Sequence, residues 1–92
     1  MRFQPIRDIG VSYERQITTF VTCLNYHKQD PKVQARIDRV CREVCAGDAV
    51  MEAALKELLT TGGNMEEISL RHYVSMAALS RRRAKFYKRF RP

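Results

Sequence analysis

Helix start signals recur along the chain, and each is followed by apolar residues spaced three and four positions apart. The clearest signal is Asp30 followed by Pro31. Aspartate accepts hydrogen bonds from the free amides of a first helical turn, and proline at the first helical position gives up no bond. Ser12, Asp48 and Asn64 are comparable starts. Because no stretch shows the alternation of apolar and polar residues that is typical of a strand, the chain is predicted to be all-α.

The first three segments have the length and spacing of short amphipathic helices. The first begins after Ser12 and ends near His27, and the second begins at Pro31 and is closed by Gly47. The short link between them favours an antiparallel helical hairpin. A short third helix follows Asp48 and ends at the Gly62–Gly63 pair, since glycine readily adopts the left-handed conformation that closes helices.

A single long C-terminal helix is predicted from Met65 to Arg91, because this stretch contains neither glycine nor proline. About 26 residues at 1.5 Å each give a helix about 39 Å long, more than three short helices can cover. We therefore expect its basic end to project. The domain prediction is an extended N-terminal arm at residues 1–10, a small helical body at residues 11–80 and a basic aromatic helix extension at residues 81–92.

The charge of the chain is segregated. Residues 1–80 contain ten basic and ten acidic side chains, whereas residues 81–92 contain seven basic side chains and no acidic one. The whole net charge of +7 therefore belongs to the last twelve residues. A block of like charges repels itself unless an anionic partner neutralises it, which points to nucleic acid, an anionic membrane surface or an acidic protein.

The candidate binding residues lie in this basic block. Arginine presents a planar fork to phosphate, and aromatic rings between the cations can stack on bases or pack against another protein. On a helix the aromatic and basic residues fall on different faces, so we expect the aromatic face to contact protein and the basic face to contact phosphates. The predicted RNA-binding or partner-binding residues are Arg81, Arg82, Arg83, Lys85, Phe86, Tyr87, Lys88, Arg89, Phe90 and Arg91.

Catalysis and metal binding find little support in the sequence. There is no glycine-rich phosphate loop, no nucleophile elbow and no zincin motif, so we predict no enzyme, no cofactor and no small-molecule substrate. Cys23, Cys41 and Cys45 are interpreted as small buried hydrophobic residues, because a helical hairpin would displace Cys41 from Cys23 along the helix axis by too much for one zinc ion. We therefore predict no metal site.

These features favour a structural subunit of a ribonucleoprotein. The preferred hypothesis is a mitochondrial ribosomal protein anchored to rRNA and to neighbouring subunits by its basic C-terminal helix. The alternative is an accessory subunit of a respiratory-chain or other large protein complex without RNA. A free-standing helical DNA-binding regulator is less consistent with charges at the C-terminal end of the last helix.

The expected location follows from the N-terminus, the cysteines and the hydropathy pattern. The first residues are basic and free of acid until Asp8, which suits mitochondrial import, with the cytoplasm as the alternative. Three cysteines without a secretory signal favour a reducing compartment. No apolar run reaches the length of a transmembrane helix, although peripheral contact with a membrane remains an open alternative.

Overall fold

The structure is a computed structural model that describes residues 3–92. Its helices are α1 (Tyr13–Leu24), α2 (Pro31–Val44), α3 (Ala49–Thr61), α4 (Met65–His72) and α5 (Met76–Arg89), with a 3₁₀ turn at Tyr26–Lys28. The all-α prediction is confirmed, since residues 3–92 contain no strand. None of the helices in this part of the chain is both long and apolar enough to cross a membrane.

Four helices begin at the residues that the sequence marks as starts. The side chains of Ser12, Asp30, Asp48 and Asn64 each accept a hydrogen bond from a backbone amide of the first turn. These bonds satisfy amides that otherwise have no partner within the helix. Local chemistry therefore determines where α1 to α4 start.

Helix α3 lies at the centre of the fold and packs against α1, α2, α4 and α5. Its buried residues are Met51, Ala54, Leu55, Leu58 and Leu59. Helices α1 and α2 both pack on α3, instead of packing mainly on each other as the predicted hairpin requires. Helix α3 has five buried residues, more than α1 or α2, and packing it from several sides removes this apolar area from water.

The prediction of one long C-terminal helix is wrong, because the chain bends between α4 and α5. Tyr73 adopts a left-handed conformation with φ of 58°, and the Val74 amide donates to the Ser69 carbonyl at 3.0 Å. This is the bonding of a Schellman cap. Ser75 then caps α5 by accepting a bond from the Ala78 amide at 3.2 Å. A glycine normally marks such a bend. Because there is none here, the sequence pattern does not indicate the break between α4 and α5.

The expected projection of residues 81–92 is also wrong, since α5 folds back against α2, α3 and α4. Leu79, Phe86 and Phe90 are fully buried, and Tyr87 is 4% exposed. The described residues span only 30 × 29 × 25 Å, which leaves no room for a projecting helix of 39 Å. Burial of these large side chains drives the docking.

The N-terminal arm packs on the helical body from its first described residue. Phe3, Ile6 and Ile9 contact the core cluster. Gln16, 3% exposed, accepts a hydrogen bond from the Ile6 amide at 2.7 Å and donates to the Ile6 and Val11 carbonyls. Residues 1 and 2 of the predicted arm lie outside the described residues.

Polar contacts join α3 to its neighbours at two places. Glu57 forms an ion pair with Arg71, and its other carboxylate oxygen lies 2.7 Å from Nε2 of His72. Hydrogen bonds from His72 and Arg71 lower the pKa of the Glu57 carboxyl. On the other side, Asp38 accepts bonds from the Tyr26 hydroxyl and from Lys56 Nζ, the latter at 2.8 Å.

Replacing Tyr73 by glycine tests the bend directly. Tyr73 is 95% exposed, so the substitution removes little packing. In a left-handed cap, glycine relieves backbone strain, and we expect the free energy of unfolding to be unchanged or raised by up to about 1 kcal/mol. In a continuous helix the same change would cost about 1 kcal/mol. Urea denaturation shows whether the free energy of unfolding rises or falls. The control is Arg81→Gly, at an exposed position inside α5, which should lower the free energy of unfolding by about 1 kcal/mol.

Candidate nucleic-acid interface

The docking of α5 sorts its basic side chains from its aromatic ones. Because Leu79, Phe86 and Phe90 face the core, the cations between them are directed toward the surface. Arg81, Lys85, Lys88, Arg89 and Arg91 are exposed, while Arg82 and Arg83 are half-buried. The segment that carries the net charge is thus part of the folded body, and most of its charges are exposed on the surface of that body.

Four of these cations line a groove between α5 and the C-terminal end of α2. The groove is lined by Glu43, Val44, Ala46, Arg82, Lys85, Lys88 and Arg89. It therefore sets four cations against a single acid. We call it the basic groove, and its charge composition suits an anion with several phosphates.

The cations of the basic groove differ in how firmly they are held. Arg82 donates from Nη1 to the Val44 carbonyl at 3.1 Å, where the negative end of the α2 dipole also favours a cation. Arg89 Nε lies 3.2 Å from Glu43 Oε1, but both side chains are well exposed. Such a surface pair contributes about 0–1 kcal/mol, so a phosphate can compete for Arg89. Within residues 3–92, Lys85 and Lys88 form no ion pair.

Arg15 fixes the end of α5. Its Nη2 donates to the carbonyls of Lys88 at 2.8 Å and Phe90 at 2.9 Å, with a longer contact of 3.4 Å to Tyr87. Carbonyls at a helix C-terminus have no intrahelical donors, so a guanidinium satisfies them and opposes the dipole. Arg15 thereby positions the last turn that carries Lys88 and Arg89. No sequence signal indicated this role, because the contact joins residues more than 70 positions apart.

Helix α2, whose C-terminal end lines the basic groove, carries exposed cations that are not among the predicted site residues. Arg39 is exposed and precedes Glu43 by one helical turn, and Arg42 is also exposed. On the same helix, the Arg36 guanidinium lies over the Phe90 ring at 5.6 Å from its centroid. Residues 1–80 have a net charge of zero, so their composition gives no reason to single out these arginines. Their proximity to the basic segment becomes visible only in the fold, where α2 packs against α5.

The predicted aromatic contacts occur within the protein itself. The Phe86 and Phe90 rings stack with centroids 5.1 Å apart, and Phe86 meets Tyr87 edge-on at 6.4 Å. Burial raises the pKa of the Tyr87 hydroxyl to about 12. The separation of an aromatic from a basic face was thus predictable, but the protein surface that the aromatic face contacts is the body of this same chain. In this structure these rings are not placed to stack on bases.

Arg83 is separated from the other predicted site residues. It faces a pocket between the N-terminal arm and α3, together with Tyr87. The structure therefore divides the ten residues into three groups. Those at the surface or in the basic groove are Arg81, Arg82, Lys85, Lys88, Arg89 and Arg91; those in the core are Phe86, Tyr87 and Phe90; and Arg83 lies in the pocket.

The three cysteines are free and buried in the core. Burial raises the pKa of the Cys23 thiol to about 12 and that of Cys41 further still, and it also raises the pKa of Cys45. A thiol nucleophile or metal ligand must be deprotonated, so this environment disfavours both roles. In the part of the chain that the structure describes, no group of three histidine, cysteine or acidic residues is arranged to hold a metal ion.

Comparison with known proteins gives no match: no protein-family model, no curated protein and no solved structure is significantly similar to this chain.

Proposed function

We propose that the protein is a structural subunit of a ribonucleoprotein particle and that the basic groove contacts RNA phosphates. The observation that carries this proposal is the arrangement of Arg82, Lys85, Lys88 and Arg89 against the single acid Glu43. Arg81 on α5, Arg91 just after α5, and Arg39 and Arg42 on α2 are further exposed cations of the two segments that meet at the groove. A ribosome is the preferred particle, with rRNA and adjacent subunits as the partners.

The mode of binding follows from the side chains that are available. Arginine and lysine bind phosphate oxygens without reading sequence, whereas base-specific contacts in RNA mostly need stacking aromatic rings. The aromatic residues of α5 are buried, so recognition rests on the shape and charge of the RNA backbone. The buried rings anchor α5 to the body, so the helix that carries the cations is already folded and loses little backbone entropy when it binds.

The location of the particle is proposed from the sequence, with mitochondria preferred over the cytoplasm. The packing of Phe3, Ile6 and Ile9 on the core supports an arm that stays with the folded protein. The basic groove also fits the alternative hypothesis of an accessory subunit in a complex without RNA, where it would contact acidic protein or lipid headgroups. The buried Phe86 and Phe90 rings offer no aromatic insertion into lipid.

The salt dependence of RNA binding tests the proposal. We expect the protein to bind a fluorescently labelled RNA hairpin in an anisotropy titration, with a slope of about −3 to −5 for log affinity against log salt, because four to six phosphates are neutralised. A slope near zero contradicts the RNA hypothesis. Sedimentation of the tagged protein from gently lysed source cells then separates the alternatives. Loss of the large particle on RNase treatment supports a ribonucleoprotein, and an RNase-resistant particle supports the accessory subunit.

A further inference from the structure

A second site, independent of the basic groove, lies between the N-terminal arm and the helical body. It is a pocket of about 300 Å³ that opens to solvent. Its apolar walls come from the arm, α1, α3 and α4, and consist of Phe3, Ile6, Phe20, Leu58, Leu59 and Met65. Two side chains of α5, Arg83 and Tyr87, add polar groups to these walls. Gln4 of the arm also lines the pocket, which therefore combines apolar side chains with several polar groups. Concave sites that combine the two are typical of small-ligand binding.

Arg83 is an unusual cation for such a place. It is half-buried and, across residues 3–92, takes part in no ion pair. Its Nε is buried without a hydrogen-bond acceptor. Burial also lowers the pKa of the Arg83 guanidinium, because desolvation disfavours the charged form. A half-buried cation without a counterion is incompletely stabilised, so an anion that enters the pocket beside the Arg83 guanidinium would supply the missing charge.

We infer that this pocket binds a medium-chain alkyl carboxylate. A carboxylate matches the planar fork of Arg83 and forms charge-assisted hydrogen bonds with it, and the Tyr87 side chain lies beside Arg83 in the same pocket. The alkyl tail occupies the space between Phe20, Leu58 and Met65. A nucleotide or polyphosphate does not fit, because the pocket offers one cation and apolar walls.

The volume of the pocket limits the length of the alkyl tail, and the N-terminal arm forms one of its walls. A volume of about 300 Å³ is at the lower end of the range for ligand pockets, which favours a medium chain over a long one. One wall is the arm, which is held by the bonds between Ile6 and the buried Gln16. Ligand binding should therefore stabilise the packing of Phe3 and Ile6 on the body. No local sequence pattern indicates this site, because its walls come from five separate segments.

Calorimetric titration of the full chain with octanoate tests the inference. We expect saturable one-to-one binding that is at least about tenfold tighter than binding of octan-1-ol, which has the same tail and no charge. Hexanoate should bind about 16-fold more weakly than octanoate, since each methylene that enters an apolar site contributes about fourfold. Equal affinity for octanoate and octan-1-ol, or no binding of octanoate up to about 10 mM, would overturn the inference.

Two arginine variants separate the pocket from general charge attraction. Arg83→Gln should lose at least about tenfold in octanoate affinity and keep its affinity for octan-1-ol. Arg81→Gln, which removes the same charge from an exposed site on the same helix, should bind octanoate as the original protein does. Because Arg83 has no ion pair to lose, Arg83→Gln should melt at an unchanged or higher temperature. Equal losses in the two variants would exclude Arg83 as the carboxylate ligand. If Arg83→Gln does not fold, the octanoate and octan-1-ol comparison on the original chain decides.

Discussion

Deletion of residues 81–92 is expected to unfold the protein. The deletion removes Phe86, Tyr87 and Phe90, which are between 0% and 4% exposed and pack in the same core as Leu55 and Ile37. Truncating one buried phenylalanine costs about 3–5 kcal/mol, and a whole domain is stable by only about 5–15 kcal/mol. Loss of three such side chains, about 9–15 kcal/mol together, is as large as the whole stability of a typical domain. Far-UV circular dichroism and urea denaturation of residues 1–80 provide the measurement.

Single substitutions in and next to α5 test separately whether its buried and its exposed side chains stabilise the fold. Phe90→Ala should lower the free energy of unfolding by about 3–5 kcal/mol, because it removes the stack on Phe86 and the ring beneath the Arg36 guanidinium. Lys88→Ala, at an exposed position two residues earlier, should change it by less than about 0.5 kcal/mol. A cooperative, helical chain of residues 1–80 with native-like stability would show instead that the C-terminal segment is an appendage.

The sequence predicted the elements better than their arrangement. The starts of α1 to α4 are encoded by single capping side chains within three residues of the amides they bind, so Ser12, Asp30, Asp48 and Asn64 are recognisable without a fold. The bend at Tyr73 is not recognisable from the sequence. Its tyrosine adopts the left-handed conformation because α5 packs on the body, which is a contact between distant segments. Ser75 was the one local sign of a new start, and helical spacing on both sides of it concealed the break.

The candidate site was only partly predictable for a related reason. Helical spacing correctly placed the aromatic and basic residues of α5 on separate faces, but spacing alone cannot tell whether an apolar face contacts its own body or another protein. The high charge of residues 81–92 predicts a solvated tail, although this segment holds three aromatic residues of the core. The roles of Arg15 at the end of α5 and Arg83 in the pocket depend on contacts between distant segments, which no local pattern encodes.

Reversing two charges of the basic groove should abolish most RNA binding. Lys85→Glu together with Lys88→Glu removes two phosphate contacts and adds repulsion, so we expect RNA affinity to fall about 10²-fold or more at about 0.1 M salt. The slope of log affinity against log salt should become smaller by about 2. Both lysines are exposed and unpaired within residues 3–92, so the melting temperature should change little.

The matched control is Lys28→Glu together with Lys32→Glu. These lysines are exposed near the start of α2, and the double change alters the net charge by the same amount. If the basic groove is the RNA site, the control should lose much less affinity than the groove variant, because exposed charges separated by more than the Debye length of about 10 Å are largely screened. Equal losses of RNA affinity in the two double variants would mean that RNA responds only to the net charge of the protein. Unchanged affinity in the groove variant would exclude Lys85 and Lys88 from the RNA contact. A selective loss in the groove variant would assign RNA binding to the surface that is built where α5 docks against α2.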